Sequence, residues 1–320
     1  MAVFTYVGAE DISDLLDRYG VGPLISVKGI AEGVENSNYL VDAHCGRFIL
    51  TIYEKRVDAD DLPFFINLID HLSAAGNPVP RIIADSQCQH IQQLSGKAAC
   101  LIQFLPGVSV SRPTGRQTYN AGAALARLHV GAADFGGGPA NALSLVGWRA
   151  LIDRTGDALD TIVPGLFETA SREWEHLSAQ WPDHLPHGVI HADLFPDNVL
   201  MIGEDVSGII DFYFACRDIT AYDFAVTHGA WCFSADGSHL LPALAEALAK
   251  GYCSVRDLSA DERAAMPILA RGASLRFLLT RALDWLETPA NALVTRKDPL
   301  PYLRRLQAYQ SGDPRAMFAL

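Results

Sequence analysis

Two carboxylates and an amide lie close together in the sequence HADLFPDNVL, residues 191–200. Asp193 precedes Asn198 by five residues, and a further carboxylate, Asp211, follows in the sequence IIDF. Mg²⁺ prefers carboxylate and amide oxygens, and proteins usually hold it with one or two of them while water and phosphate oxygens complete its shell. A carboxylate that does not bind the metal could accept a proton from a substrate hydroxyl. These residue types therefore predict metal-assisted phosphoryl transfer to an alcohol.

A predicted β-hairpin would bring the two candidate metal ligands together. Two apolar runs, 199–202 and 206–210, flank a Gly-Glu-Asp turn, which is a pattern typical of a hairpin. Asn198 directly precedes the first run and Asp211 directly follows the second. We therefore expect both side chains at the open end of the hairpin.

The wider pattern predicts an α+β fold with two lobes. Residues 1–105 carry most of the strand signal, and residues 106–320 are predicted to be mainly helical apart from strand-like runs within 186–212. We expect a small β-rich N-terminal lobe and a larger helical C-terminal lobe. Strands are predicted within 26–41, 46–55 and 99–105. Helices are predicted at 58–76, 116–133, 143–181, 218–234, 239–254 and 260–287.

The charge and the cysteines limit the classes of partner. The net charge is −12, from 25 basic and 37 acidic residues, and no basic run is present. This balance argues against nucleic acid or an anionic membrane surface as the main partner. The six cysteines form no CxxC pair, and no apolar stretch is long enough to span a membrane. We therefore expect a soluble, cytoplasmic protein that binds small molecules.

The catalytic motif resembles that of the protein-kinase-like superfamily. HADLFPDNVL followed by GIIDF is similar to the catalytic loop and metal motif of the aminoglycoside-phosphotransferase and choline-kinase branch, with Ala192 where glycine is usual. The resemblance implies a protein-kinase-like fold, with Asp193 as the catalytic base. It also implies that Asn198 and Asp211 bind Mg²⁺.

Other residues resemble the supports of this loop in the same branch. The resemblance implies that His191 supports the loop structurally and that Asp223, in TAYDFAV, is the buried aspartate that braces it. The sequence ALARLH, residues 124–129, resembles the helix that precedes the loop. We expect His129, at its end, to be a packed or capping histidine.

The N-terminal lobe contains sequences that resemble nucleotide-binding elements. GIAEGVENSNYLV, residues 29–41, stands where a phosphate-covering loop is expected, and LIQFLPG, residues 101–107, stands where a hinge would bind adenine. The resemblance implies that ATP is the phosphoryl donor. The residues expected to contact the nucleotide are Gly29, Gly33, Asn36, Ser37, Thr51, Gln103 and Leu105.

One position departs from the pattern of this branch. Its third strand usually carries a lysine that binds the α- and β-phosphates, paired with a glutamate on the following helix. The strand here reads FILTIYEK, which places Thr51 at the lysine position, and the following helix offers no obvious glutamate. Arg47, Lys55 or Lys28 could supply the cation instead.

Several segments further resemble the bacterial homoserine kinase family of the phosphotransferase-like type. These are VFTYV, GIAEGVENSNYLV, FILTIYEK, HADLFPDNVL and DFYFACRDITAYDFAV. The resemblance implies ATP- and Mg²⁺-dependent phosphorylation of the L-homoserine hydroxyl, in threonine biosynthesis. Charge complementarity suggests Asp218 for the substrate ammonium and Arg276 or Arg281 for its carboxylate.

Alternative functions stay open at this point. A related kinase acting on choline, ethanolamine, an aminoglycoside or a sugar would use the same base and metal ligands. A pseudokinase that only binds nucleotide would explain Thr51 but would not need Asp193. A zinc site at His184, His187 and His191 is disfavoured, because a proline and a glycine interrupt the helix that this spacing would need.

Overall fold

The computed structural model describes residues 5–30, 36–54, 61–288 and 296–320. Their contacts divide the chain into two compact units. The first unit consists of Met1–Pro106 and Gly208–Tyr213, and the second consists of Gly107–Ser207 and Phe214–Leu320.

The segment Gly208–Tyr213 was expected in the C-terminal lobe but groups with the first unit. The backbone N–H of Ile209 donates to the Pro78 carbonyl at 2.7 Å. The Tyr213 ring packs edge-on against Tyr53, with ring centroids 5.3 Å apart. These contacts explain why the segment groups with the first unit, although the residues before and after it in the sequence belong to the second.

The first unit is built on a six-stranded antiparallel sheet with the strand order β1-β2-β3-β6-β4, and β5 also pairs with β6. The strands are β1 (Leu24–Gly29), β2 (Ser37–Ala43), β3 (Gly46–Ile52), β4 (Ile82–Ile83), β5 (Gln92–Leu94) and β6 (Lys97–Gln103). Strand β2 alternates strictly between buried and half-buried residues, as expected for a strand with one face on a core. Its buried Tyr39 and Val41 join Leu50 and Ile52 of β3 in the apolar core.

The described residues of the first unit form two α-helices, α1 (Ala9–Leu16) and α2 (Leu62–Ala74). Helix α1 was not predicted, and its buried Ile12, Leu15 and Leu16 pack into the same core. Helix α2 lies within the predicted range 58–76 and begins with a proline in its first turn, where a missing N–H costs little. Its buried positions are Leu62, Phe65, Ile66, Leu68, Ile69 and Leu72, so its inward face is apolar.

The second unit is mainly helical. Its helices are α3 (Gly115–Gly131), α4 (Leu145–Thr155), α5 (Leu166–Gln180), α6 (Thr220–Trp231), α7 (Pro242–Cys253), α8 (Ala260–Glu287), α9 (Leu300–Ser311) and α10 (Pro314–Phe318). Helix α8 has the predicted bounds because its sequence begins with a capping box, in which Ser259 and Glu262 satisfy each other's backbone N–H groups. Helices α9 and α10 were not predicted. The fold class predicted from the sequence, a β-rich part followed by a mainly helical part, is confirmed.

Two short sheets interrupt these helices. Strand β7 (His187–Ile190) pairs antiparallel with β10 (Cys216–Ile219), and β8 (Val199–Ile202) pairs with β9 (Asp205–Ile209). The predicted hairpin is therefore confirmed. The helix predicted to begin at residue 218 instead begins at Thr220, because the preceding residues pair with β7. No helix among the described residues is long and apolar enough to cross a membrane.

Candidate active site

The loop that carries Asp193 leaves strand β7 at His191 and is fixed by Asp223. Strand β10 pairs with β7 and leads directly into helix α6, which brings the Asp223 side chain beside the loop. The Asp223 carboxylate accepts the backbone N–H groups of His191, at 2.7 Å, and Ala192, at 2.8 Å. It is fully buried. The structure therefore places Asp223 where the sequence resemblance expected a bracing aspartate.

Ala192 has a backbone conformation that favours glycine, with φ of +62°. A side chain in this left-handed region costs about 1–2 kcal/mol, so the alanine is a larger departure from the usual glycine than its size suggests. Asp223 binds the N–H of Ala192, and the Arg276 guanidinium donates to its carbonyl. These two buried polar contacts hold the residue in its strained conformation.

Asp193 and Asn198 are in direct contact within the loop. The Asn198 Nδ2 group donates to the Asp193 carbonyl at 2.8 Å and to its carboxylate Oδ2 at 3.1 Å. The backbone N–H of Asp193 donates to Nδ1 of His191 at 3.2 Å. Since the Asn198 amide nitrogen faces Asp193, its Oδ1 is left without a hydrogen-bond partner among the described residues. This oxygen is available to a cation.

A buried polar chain extends from Asp223 towards helix α8. His129 on α3 bonds to Asp223 through Nε2 and to the Tyr252 hydroxyl on α7 through Nδ1, both at 2.9 Å. Arg256 donates to the Tyr252 hydroxyl at 3.0 Å and to Glu262 at 2.6 Å. His129, expected to be a packed or capping residue, is therefore also part of the support of the catalytic loop.

The Asp223 carboxylate is kept ionised by this chain. Burial alone would raise its pKa, but the hydrogen bond and charge of His129, together with His191, hold the pKa below its ordinary value. An ionised carboxylate with two acceptor oxygens can bind all three of its donors at once.

Asp211 lies in the segment Gly208–Tyr213 of the first unit. It is exposed, and its backbone has a positive φ of 67°. Burial raises the pKa of the neighbouring Tyr213 hydroxyl, and the charge of Asp211 adds to this effect. Asp211 is thus a carboxylate at the surface of its unit.

The three histidines considered as zinc ligands each make a different contact. His184 is exposed beside Asp183, and His187 bonds to the Leu185 carbonyl. His191 is buried, with its Nδ1 accepting from Asp193. The described part of the chain holds no cluster of three or more histidine, cysteine or acidic side chains suited to a metal.

The structure does not support the prediction that the Ser37 hydroxyl donates a hydrogen bond to phosphate. The Asn36 side chain is also engaged in a contact within its own unit. Ser37 is buried, and its hydroxyl donates to Glu54 at 2.7 Å and accepts the Thr5 N–H at 2.9 Å. The Asn36 side chain, also buried, accepts the Glu54 N–H at 3.2 Å. Both side chains therefore hold Glu54 in place. Gly29 is exposed at the end of β1, and Gly33 lies outside the described residues.

Thr51 is a buried structural residue that donates to Asn38 on the neighbouring strand at 2.7 Å. A direct phosphate contact from its side chain is not supported, since its hydroxyl is bound within the sheet.

Three residues were considered as replacements for the strand lysine that Thr51 lacks, and their environments differ. Arg47 pairs with Asp42 at 2.7 Å, Lys28 is exposed on β1, and Lys55 lies outside the described residues. Lys97 on β6 and Glu54 form a lysine–glutamate pair that was not predicted. Its members come from separate parts of the sequence, so only the pairing of the strands brings them together.

The predicted hinge offers free backbone groups. Gln103 ends β6 and accepts the Arg81 N–H through its side chain at 3.2 Å. The half-buried Leu105 makes no backbone hydrogen bond to any residue that the structure describes. Its N–H and carbonyl are therefore available to an adenine ring.

The three candidate substrate residues have different environments. Asp218 is half-buried and accepts from Asn141 and from the Ile219 N–H, both at 2.7 Å. Arg276 is buried and serves the catalytic loop through the Ala192 carbonyl, so its assignment to the substrate is not supported. Arg281 lies close to Phe195 of the catalytic loop, with Cζ 5.9 Å from the ring centroid.

Comparisons with known proteins show the family of the chain. A family model described as "Phosphotransferase enzyme family" matches residues 26–268. The homoserine kinase of Xanthobacter autotrophicus is 51% identical, over 98% of this chain and 97% of its own length. The homoserine kinase of Allorhizobium ampelinum is 48% identical, over 99% of each chain.

Solved structures share the fold at much lower identity. An amicoumacin kinase in complex with AMP-PNP, Ca²⁺ and Ami has a TM-score of 0.70 at 16% identity, covering 98% of this chain and 93% of that chain. A choline/ethanolamine kinase family protein from Mesorhizobium loti has a TM-score of 0.62 at 17% identity, covering 95% and 94%. The kinase-like fold expected from the sequence is confirmed. The chain belongs to the phosphotransferase enzyme family and, within it, to the homoserine kinase family.

Proposed function

We propose that the protein transfers the terminal phosphoryl group of ATP to the side-chain hydroxyl of L-homoserine, forming O-phospho-L-homoserine for threonine biosynthesis. Relatives named homoserine kinase match nearly the whole chain at about half identity. The observation that carries the chemistry is the Asp193–Asn198 contact in a loop braced by buried Asp223. It offers a carboxylate for a proton and an amide oxygen for a cation on adjacent side chains.

Asp193 orients the substrate hydroxyl and accepts its proton as the new O–P bond forms. The brace from Asp223 fixes the backbone before Asp193, and the Asn198 amide fixes its carboxylate. A base held in one position lowers the entropic cost of reaching the reactive geometry.

Asn198 and Asp211 would hold Mg²⁺, Asn198 through Oδ1 and Asp211 through its carboxylate. When bound, the ion neutralises charge on the nucleotide phosphates. The two protein ligands, an amide and a carboxylate, suit a cation that keeps several water and phosphate ligands.

The nucleotide would be bound by the first unit. Adenine would bind the free backbone groups of Leu105, beside Gln103, and we assign the phosphate contacts to Gly29 at the end of β1 and to Gly33, which lies outside the described residues. We assign residues 1–105 to the nucleotide-binding domain and 106–320 to the catalytic domain, except that Asp211 comes from a segment of the first unit.

We place the reaction in the cytoplasm, with ATP and L-homoserine as the small-molecule partners. All six cysteines are unpaired, which suits a reducing compartment.

The test is ATP turnover with a panel of alcohols: L-homoserine, L-serine, choline, ethanolamine, 3-aminopropan-1-ol and an aminoglycoside. We expect the highest kcat/KM with L-homoserine, and loss of turnover when Mg²⁺ is removed with EDTA. Turnover of choline or an aminoglycoside without turnover of L-homoserine would contradict the substrate assignment. Nucleotide binding without turnover of any acceptor would favour a pseudokinase.

A further inference from the structure

We propose that Arg305, Arg281 and the Tyr302 hydroxyl form the site that binds the carboxylate of the amino-acid substrate. The inference rests on the proposed function, because it names the groups that would recognise one part of that substrate.

Arg305 is a buried cation that has no counter-ion among the residues that the structure describes. It lies on α9, only 6% of its surface is exposed, and its Nε has no hydrogen-bond partner. Its guanidinium makes no ion pair or hydrogen bond to any residue in the described ranges, and instead lies over the Tyr302 ring, with Cζ 4.3 Å from the centroid. Buried charges are normally paired, because removal of their water is costly. An anion from a ligand would supply the missing partner.

Tyr302 and Arg281 provide further unused donors beside Arg305. The Tyr302 hydroxyl is buried and has no hydrogen-bond partner in the described part of the chain. Cζ of Arg281 lies 4.6 Å from the Tyr302 centroid, and its guanidinium donates to the Asp298 carbonyl at 3.3 Å without pairing with a carboxylate. Two arginines around one ring repel each other unless an anion joins them. A carboxylate, with two acceptor oxygens, matches guanidinium and hydroxyl donors of this kind.

This group of donors lies next to the catalytic loop. The Phe195 ring, two residues after Asp193, has its centroid 6.4 Å from that of Tyr302. The Arg281 guanidinium faces the same ring. Burial lowers the pKa of Arg281, and the charge of Asp193 opposes that shift, which indicates that the two groups are electrostatic neighbours. A small substrate could therefore place its carboxylate on the arginines and its hydroxyl near Asp193.

The test compares Arg305→Met with the wild type on two acceptors. L-Homoserine has the carboxylate, and 3-aminopropan-1-ol keeps the ammonium and hydroxyl without it. We expect kcat/KM for L-homoserine to fall at least about 30-fold, while kcat/KM for 3-aminopropan-1-ol and the KM for ATP change less than about twofold. Calorimetric titration with L-homoserine should show a matching rise in Kd, which keeps the test usable if the second acceptor is turned over slowly.

Two controls separate recognition from folding. Arg304→Met removes the neighbouring exposed arginine of the same helix and should leave both acceptors unaffected. Arg305→Met should unfold at the same or a higher urea concentration than the wild type, because an unpaired buried charge has been removed. Arg305→Lys keeps the charge without the planar donor group, and we expect it to recover only part of the affinity.

The possible outcomes distinguish this inference from the proposed function. Equal activity of wild type and Arg305→Met on L-homoserine would overturn the inference alone. So would equal losses on both acceptors, or a raised KM for ATP, since these would assign Arg305 to folding or to phosphate. A wild-type protein that neither binds nor phosphorylates L-homoserine would overturn both proposals.

Discussion

Asp223 determines the conformation of the catalytic loop although it lies far from Asp193 in the sequence. Its carboxylate binds His129 and two successive backbone N–H groups, including that of the strained Ala192. Without these bonds, Ala192 would relax from its positive φ, and the direction of the chain into Asp193 would change. The brace is thus a positioning element that acts on the base through the backbone.

Replacing Asp223 tests this brace at the scale of one residue. Asp223→Asn leaves one acceptor oxygen for three donors, so we expect the free energy of unfolding to fall by about 3 kcal/mol. We expect kcat to fall about 100-fold, since a small displacement of a catalytic group is enough for such a loss. Urea unfolding and steady-state kinetics would measure the two effects.

The matched control is Asp197→Asn, because Asp197 is an exposed residue of the same loop whose carboxylate lies 3.6 Å from the Lys297 ammonium. It should keep kcat within about twofold. A folded Asp223→Asn protein with the wild-type kcat would show that the brace does not position Asp193.

Helices α3 and α7 must pack closely for the brace to form. His129 on α3 and Tyr252 on α7 share a hydrogen bond of 2.9 Å, which requires their backbones to approach each other. Glycine makes this possible at two positions. A Cβ on Gly122 would overlap the Leu248 carbonyl, and one on Gly251 would overlap the Tyr119 carbonyl.

A methyl group at this crossing should separate the helices. We expect Gly251→Ala to lower the free energy of unfolding by about 2 kcal/mol, because the overlapping atom belongs to the backbone and cannot rotate away. The accompanying shift of Tyr252 away from His129 should lower kcat as well. Thermal or urea unfolding, together with kinetics, would measure the change.

Gly115→Ala, on the partner helix α3, is the control, since the added Cβ would meet no atom within 4 Å beyond its chain neighbours and its own helix backbone. It should leave stability unchanged or raise it by up to about 1 kcal/mol. Equal stability of the two alanine variants would contradict the close-packing explanation.

At the scale of the second unit, His228 ties helix α6 to the C-terminal helices. It bonds to the Tyr309 hydroxyl on α9 at 2.6 Å and to the Met317 carbonyl on α10 at 2.9 Å. It is fully buried, and burial lowers its pKa from 6.5 to about 4. The neutral ring is therefore required for this packing.

The depressed pKa predicts acid sensitivity. The unfolded chain binds a proton at His228 near pH 6.5 but the folded chain only near pH 4, so stability from this residue is complete above pH 6.5 and decreases as the pH falls towards 4. The loss should reach about 3 kcal/mol at pH 4. Urea unfolding from pH 7 to pH 4 would measure it.

His228→Gln should be less stable at pH 7 but should lose less stability than the wild type over that range. The exposed His184→Gln should keep the wild-type pH dependence. Parallel pH dependence of the His228→Gln variant and the wild type would contradict this assignment.

The parts of the fold that could be predicted are those with strong local signals. Helix α8 has a capping box and the hairpin β8–β9 has apolar runs around a turn, and both appear where expected. Strand β10 was not recognised because its four residues resemble the start of the helix that follows. The short helices α1 and α10 were not predicted, although α10 begins with a capping aspartate, Asp313, and a proline in its first turn.

The same distinction applies to the candidate site. The spacing of Asp193 and Asn198 predicted their proximity, because both lie in one short loop. The internal bonds of Ser37 and the burial of the Arg305 guanidinium beside Tyr302 could not be predicted, since each depends on residues that only the tertiary fold brings near. Burial and partner identity are properties of the folded chain.

The measurement that tests the central claim most directly is ³¹P NMR of the product formed from ATP, Mg²⁺ and L-homoserine. We predict O-phospho-L-homoserine from the wild type, and a rate about 100- to 10,000-fold lower from Asp193→Asn with its fold intact. Absence of the phosphoester with active, nucleotide-binding protein, or equal rates from wild type and Asp193→Asn, would contradict the account.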